Sequence, residues 1–209
     1  KFDQNISTNI ADYDISEFFY SQQRGKSSWY GRKFHNRRTA SGEIYDMNKL
    51  TAAHRYFPFG TVLRVRNLQN GKVILVRVND RGPFISNKII DLSYFSARKL
   101  GSLGNSDVEI ETLIPREEID LPGKYFFGFS YDYPLVCLPE GKIELIKYFN
   151  DFDQAITFYE NISEKFPDEF IYLFVPALKT SNDSKAFFIG VFKNSNNIEE
   201  KIYVKKLTL

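Results

Sequence analysis

Val78-Asn79-Asp80-Arg81-Gly82-Pro83-Phe84 (VNDRGPF) closes a run of alternating apolar and polar residues and sets a carboxylate beside a guanidinium, just before Gly-Pro. Upstream, Thr61-Val62-Leu63-Arg64-Val65-Arg66 alternates with period two, and Val73 to Val78 repeats the pattern in a more apolar form. Between them, Asn67 to Lys72 contains Asn70-Gly71, the best short signal for a tight hairpin turn. Residues 61–79 are therefore expected to form a β-hairpin that leaves Asp80 at a strand end. Two readings of Asp80 stay open here: a turn residue of an Asn-Asp-x-Gly sequence, or a carboxylate presented for chemistry.

Working outward, residues 1–24 are polar apart from a short apolar knot at Ile15 to Tyr20 and read as an amino-terminal arm. Ile89 to Ser93 reads as a short strand, with Asp91 or Ser93 capping a helical turn from Tyr94 to Leu100 that Gly101 ends. Val108 to Ile114 is a further alternating strand, stopped by Pro115. Short strands, tight turns and one short helix in residues 25–115 predict a small β-barrel. Residues 116–141 hold three prolines and three glycines, as a linker does, yet enough apolar residues to be a connector packed on a module.

The last module, residues 142–209, has a different period. Ile143 to Phe149 suits a strand. Phe152, Ala155, Ile156, Tyr159, Ile162 and Phe166 mark one face of a helix that Asn150 or Asp151 caps and Pro167 stops. Phe170 to Val175 and Ala186 to Phe192 read as two further strands, an α+β order. Ile198 to Leu209 fits either helix or strand.

The 209 residues include one cysteine, so no intramolecular disulfide forms, and one Cys with two His gives no basis for a zinc site. No metal and no cofactor is expected. No apolar run approaches the roughly 18 residues of a membrane helix. The amino end lacks an apolar signal core, so any export signal is expected outside this sequence. Residues 25–115 carry 15 Lys and Arg against 7 Asp and Glu, a balance of +8, while the remainder is acidic. A basic first module points to an anionic polymer, and nucleic acid and cell-wall glycan both qualify.

Several stretches of the first module resemble, in order, the rare lipoprotein A family of septal lytic transglycosylases. They are Gly25 to Gly31 (GKSSWYG), Thr39 to Glu43 (TASGE), Leu50 to Arg55 (LTAAHR), Pro58 to Thr61 (PFGT), Asn79 to Phe84 (NDRGPF) and Ile90 to Ser93 (IDLS). The resemblance implies a six-stranded double-psi β-barrel, the fold also of expansins and some endoglucanases. It implies an endolytic lyase that cuts peptidoglycan glycan strands to 1,6-anhydro ends; the alternative is a non-catalytic, expansin-like peptidoglycan-binding protein. The last module is similar to the SPOR domain, a βαββαβ glycan-binding unit, through Phe152 to Ala155 and Phe187 to Phe192. It departs from that pattern after Phe192 and lacks the usual Gln-Gly stretch of the first strand.

The family further implies the bacterial cell envelope, in the periplasm or on the outer membrane as a lipoprotein, and contact with divisome or septal proteins. Residue 1 is Lys rather than a lipidated Cys, so membrane attachment is expected only through an anchor outside this chain. Nucleic acid is not an expected partner.

Asp80 and Glu43 match the positions that the family's pattern reserves for catalysis. A lytic transglycosylase lets the sugar's own C6 hydroxyl attack the anomeric carbon, so one carboxyl serves first as acid and then as base. Asp80 is assigned that role and Glu43 the positioning of substrate or charge; the sequence leaves the exchange of roles open. Alternation turns Arg81 away from Asp80, making Arg81 a structural support that binds backbone carbonyls. The resemblance puts His54 near the carboxylates as an orienting group. Trp29 and Tyr30 either stack on sugar rings or pack in the core. Thr39, Ser41 and Asn79 are weaker candidates for hydrogen bonds to glycan.

Overall fold

The structure is a computed structural model that describes residues 18–115, 125–133, 135–139, 141, 143–176 and 186–192. Six strands close a barrel: β1 (Phe18–Trp29), β2 (Thr51–Ala53), β3 (Val62–Asn67), β4 (Val73–Asp80), β5 (Lys88–Leu92) and β6 (Asp107–Pro115). Their order round the barrel is β1-β5-β2-β4-β3-β6. β1 with β5 and β2 with β4 are parallel pairs, and the other neighbours are antiparallel. Two parallel crossings inside a closed six-stranded sheet are the double-psi arrangement.

The hairpin forms as its alternation predicts, with Gly71 at φ 74° taking the turn position that a side chain would strain. Val65, Ile74, Val76, Val78, Ile90, Leu92 and Ile110 point into the barrel and are 0–1% exposed. Helix α1 (Tyr94–Leu100) closes one end, its first turn capped by Ser93 accepting from Ser96 N and its last residue followed by Gly101 at φ 70°. Of the two caps considered, Ser93 is the one used.

The arm boundary at residue 24 is corrected: β1 starts at Phe18 and pairs with β6 from Phe18 opposite Pro115 onward. Its polar sequence disguised it, because its partners are charged side chains on β6. Arg24 meets Glu109 at 2.6 Å and Lys26 meets Asp107 at 3.2 Å. Residues 1–17 lie outside the described residues.

A second sheet, ordered β8-β7-β10-β11-β9, is antiparallel throughout. It comprises β7 (Tyr125–Phe129), β8 (Val136–Pro139), β9 (Ile143–Phe149), β10 (Ile171–Pro176) and β11 (Phe187–Phe192), with helix α2 (Phe152–Lys165) between β9 and β10. The segment 116–141, expected as a linker or packed connector, supplies two strands. The order β9-α2-β10-β11 gives the βαββ start of the expected second module, while its expected second helix and last strand fall outside the described residues. Asp151 caps α2, accepting from Gln154 N at 2.9 Å.

The second sheet and α2 are packed on the barrel. Leu50, Val62, Leu75 and Leu113 of the barrel share one buried cluster with Phe127, Phe129, Leu173, Ile156 and Tyr159. At the same seam Arg64, only 5% exposed, binds Glu111 at 2.5 Å and the Tyr131 carbonyl at 2.6 Å. Asp153 accepts from Leu50 N at 2.7 Å, and Lys49 reaches Asp151 and Asp153 at 3.4 Å.

Candidate functional site

One short turn organises the candidate site. Thr39 N donates to Glu43 O at 2.8 Å and Gly42, at φ 88°, donates to Thr39 O at 3.0 Å. The Thr39 and Ser41 hydroxyls meet at 3.0 Å and close the turn from the side-chain direction. The turn lies across the end of β4, where Ser41 N donates to Asn79 O at 3.3 Å and Ala40 N to Asp80 Oδ1 at 2.9 Å. The turn thus carries Glu43 and also bonds the Asp80 carboxylate, although the two acids lie 37 positions apart in the chain.

The two acids are held in different ways. Glu43 faces the Arg77 guanidinium in a two-pronged pair, with contacts of 2.7 and 2.8 Å, and accepts a third bond from Asn79 Nδ2 at 3.0 Å. All three partners donate, so the arrangement fits Glu43 as a carboxylate with no proton to give. Asp80 accepts on one oxygen only: Oδ1 takes Ala40 N and its neighbour's Arg81 N at 2.8 Å. Asp80 Oδ2 has no hydrogen-bond partner among the described residues, and the residue is partly exposed.

Arg81 turns away, as the strand period requires. Its Nη1 donates to the carbonyls of Phe57 at 3.0 Å and His54 at 3.3 Å, and its guanidinium covers the Phe59 ring at 3.7 Å. Its cation is therefore taken up by backbone carbonyls and an aromatic face.

His54 is 2% exposed and does not bond either carboxylate. Its Nδ1 accepts from Phe57 N at 3.1 Å and Tyr56 N at 3.3 Å, and its Nε2 meets Gln23 Oε1 at 3.3 Å. Burial first, then the Arg81 and Arg55 cations, push its pKa down to about 4, so the ring is neutral at neutral pH. The ring stacks on Phe57 at 3.9 Å. His54 reaches the site through its backbone instead, donating its N–H to Asp80 O at 3.2 Å.

For Trp29 and Tyr30 the packing alternative describes the geometry. Trp29 Nε1 donates to Leu103 O at 2.6 Å and its ring tilts on Tyr94 at 5.6 Å. The Tyr30 ring lies on Tyr45 at 4.4 Å. Burial, then Tyr45, Asp80 and Asp91, hold the Tyr30 hydroxyl protonated well above the usual tyrosine range, a neutral donor within the field of two carboxylates. Thr39 and Asn79 are 7% and 2% exposed and serve the turn and Glu43 respectively. Ser41, half-buried, remains on the groove wall.

Two participants escaped the sequence reading. Arg77 was legible in principle, because alternation in β4 puts Arg77 and Asn79 on one side of the strand while Val76 and Val78 enter the core. Asp91 stands in the sequence as a candidate helix cap and in the Ile90 to Ser93 stretch, and neither places it beside Asp80. By register, Ala53 of β2 stands opposite Asp80 of β4 on one side and Asp91 of β5 on the other, so the three occupy one row across the sheet. Burial pushes the Asp91 carboxyl above the usual range and Asp80 adds to this, while the Ser28 hydroxyl, Lys88 and Arg55 oppose it.

A groove of about 590 Å³ opens beside the turn, lined on the barrel side by Ser41, Glu43, Arg77 and Asn79 among others. Its far wall is Asn150 to Asp153 and Phe187 of the second module. Asp80 is not among the lining residues. No group of three or more His, Cys, Asp or Glu with metal-ligand geometry occurs among the described residues.

Residues 22–112 match the sequence model of a family described as lytic transglycolase. The chain is 53% identical over 103 residues to the endolytic peptidoglycan transglycosylase RlpA of Neisseria meningitidis, covering 48% of this chain and 42% of the relative. To the Pseudomonas aeruginosa protein of the same name it is 52% identical over 93 residues, 44% of this chain and 27% of the relative. To that of Vibrio cholerae it is 49% identical over 104 residues, 49% of this chain and 38% of the relative. The chain thus matches well under half the length of each of these relatives. Residues 22–112, which lie within the closed six-stranded barrel, are thus the part of the chain that is similar to the lytic transglycolase family and to these relatives.

Proposed function

We propose that the chain is an endolytic peptidoglycan lytic transglycosylase, with Asp80 as its proton-transfer group and Glu43 as the fixed charge that positions and stabilises the reacting sugar. The observation that carries this reading is the unequal bonding of two neighbouring acids: Glu43 accepts three N–H bonds, whereas Asp80 Oδ2 has no hydrogen-bond partner among the described residues.

In the first half of the reaction, protonated Asp80 gives its proton to the bridging oxygen as the C1–O bond of N-acetylmuramic acid breaks. The departing sugar leaves with a free 4-hydroxyl. Negative charge held at Glu43 by Arg77 and Asn79 stabilises the oxocarbenium-like centre. The C6 hydroxyl of the same muramic acid then attacks C1, and Asp80, now a carboxylate, takes its proton. The product is a 1,6-anhydro end, Asp80 returns to its starting form, and no water is consumed. Metal and cofactor have no part in these steps.

Such a substrate puts the protein in the bacterial cell envelope, in the periplasm. Attachment to the outer membrane as a lipoprotein and contact with septal proteins belong to the same proposal, and fractionation and crosslinking in cells test them. The activity itself is tested by incubating the protein with purified glycan strands. Anhydromuramic products are expected from the wild type and not from Asp80→Asn. Wild-type protein that sediments with glycan yet releases no product would make it a non-catalytic, expansin-like binder instead.

A further inference from the structure

Next to Asp80 the barrel presents an apolar rim that the reaction described above does not use. Phe84 is 84% exposed, Tyr56 80% and Ile85 64%. Single exposed apolar residues are ordinary. These three differ because Arg55 holds the backbone that displays them. Arg55 Nε donates to Pro83 O at 2.5 Å, and Nη2 donates to Ile85 O at 2.8 Å and Lys88 O at 3.0 Å. Tyr56, the next residue, has its own N–H fixed to His54 Nδ1 at 3.3 Å. Ordering a surface loop costs conformational entropy, and here three bonds from one guanidinium set the carbonyls on both sides of an outward-facing phenyl ring.

The loop behind the rim packs on the Asp91 end of the row that also holds Ala53 and Asp80. A Cβ built on Gly82 would meet the Asp91 carboxylate at 3.6 Å, the Ala53 methyl at 3.9 Å and the Phe84 ring at 3.9 Å. Phe84 thus lies back over Gly82, at the edge of the row formed by Asp80, Ala53 and Asp91. We propose that Phe84, with Tyr56 beside Arg55, is a stacking platform for a pyranose ring of the glycan strand, one subsite away from the bond that Asp80 acts on. This rests on the glycan-cleaving reading above.

The chemistry favours a sugar over other occupants. A pyranose offers a face of C–H groups bounded by hydroxyls, which suits an exposed aromatic face bordered by polar groups. Ser86 and Asn87, exposed and polar, follow Phe84 and Ile85 directly in the chain. Three apolar side chains fall far short of the roughly 1,200 Å² that a stable protein interface buries.

The test compares wild type with Phe84→Ala, Phe84→Tyr and Tyr56→Ala, measuring turnover of glycan strands and, in an Asp80→Asn background, sedimentation with insoluble peptidoglycan. Phe84→Ala is expected to raise KM about tenfold, with kcat nearly unchanged and a matching loss of sedimentation. Phe84→Tyr stays within about twofold of wild type, because a flat ring is kept. Thermal midpoints are expected to coincide, since the ring is exposed. Unchanged KM and unchanged sedimentation in Phe84→Ala overturn the platform, as does a change confined to the oligomeric state. If wild type yields no anhydro product but Phe84→Ala still loses sedimentation, the catalytic reading fails and the platform stands.

Discussion

Acidification should unfasten this protein at His54, and the size of the effect follows from its surroundings. The ring is 2% exposed and its pKa is pushed down to about 4, against about 6.5 in the unfolded chain. Between those values the unfolded state binds the proton and the folded state does not. Stability is therefore complete above the unfolded value and falls as pH drops toward 4. At pH 4.5 linkage gives a loss of about 2.5 kcal/mol relative to neutral pH. The structural cause is direct: a proton on Nδ1 would face the N–H groups of Tyr56 and Phe57, which that nitrogen now accepts. Denaturant unfolding at pH 7, 5.5 and 4.5, for wild type and His54→Asn, separates this term from the carboxylates that titrate in both proteins. The variant is expected to be less stable at pH 7, having lost the stack on Phe57, but to have a shallower pH slope. Parallel slopes for the two proteins would refute the argument.

Other perturbations have equally definite outcomes. Asp80→Asn keeps an acceptor for Ala40 N and Arg81 N, so folding is retained while turnover falls by about 10²- to 10⁴-fold, read as anhydro product released. Arg77→Gln removes the two-pronged hold on Glu43 and lowers kcat more than it raises KM, with Arg77→Lys recovering only part because one ammonium cannot reproduce both prongs. Asp91 has its folded pKa raised, so its ionised form costs stability once pH exceeds the unfolded value. Asp91→Asn should therefore match or exceed the wild-type thermal midpoint at pH 7, with the difference vanishing near pH 3, where both forms are neutral. Leu50→Ala, in the cluster shared by barrel and second sheet, should cost about 2–5 kcal/mol while leaving a single unfolding transition by calorimetry.

The hairpin and the helix caps were legible because their signals are local. Asn70-Gly71 sets a turn, alternation sets a face, and Ser93 and Asp151 cap the helices that follow them. Alternation gave the Asp80 strand end and resemblance singled out Thr39 to Glu43, and in the structure one stretch lies on the other. The misses are long-range in character. β1 hid behind its polar residues, whose partners on β6 lie some 80 positions away. β7 and β8 hid among prolines and glycines, since only the neighbouring β10 shows that their backbone is extended for pairing. Asp91 could not be placed near Asp80 without the parallel β2–β4 register, which no local pattern announces.

The cluster that joins the barrel to the second sheet bears on how such proteins are divided for study. A fragment ending at Pro115 follows the family boundary closely, yet it would bare Leu50, Val62, Leu75 and Leu113 to water. It would also leave the Arg64 guanidinium without the Tyr131 carbonyl, and Leu50 N without Asp153. The domain defined by sequence likeness and the unit that keeps its interior dry are thus different objects in this chain. Cutting between them trades an inherited boundary for a sticky surface, and a dissection that keeps β7, β8 and α2 with the barrel respects the one that water sees.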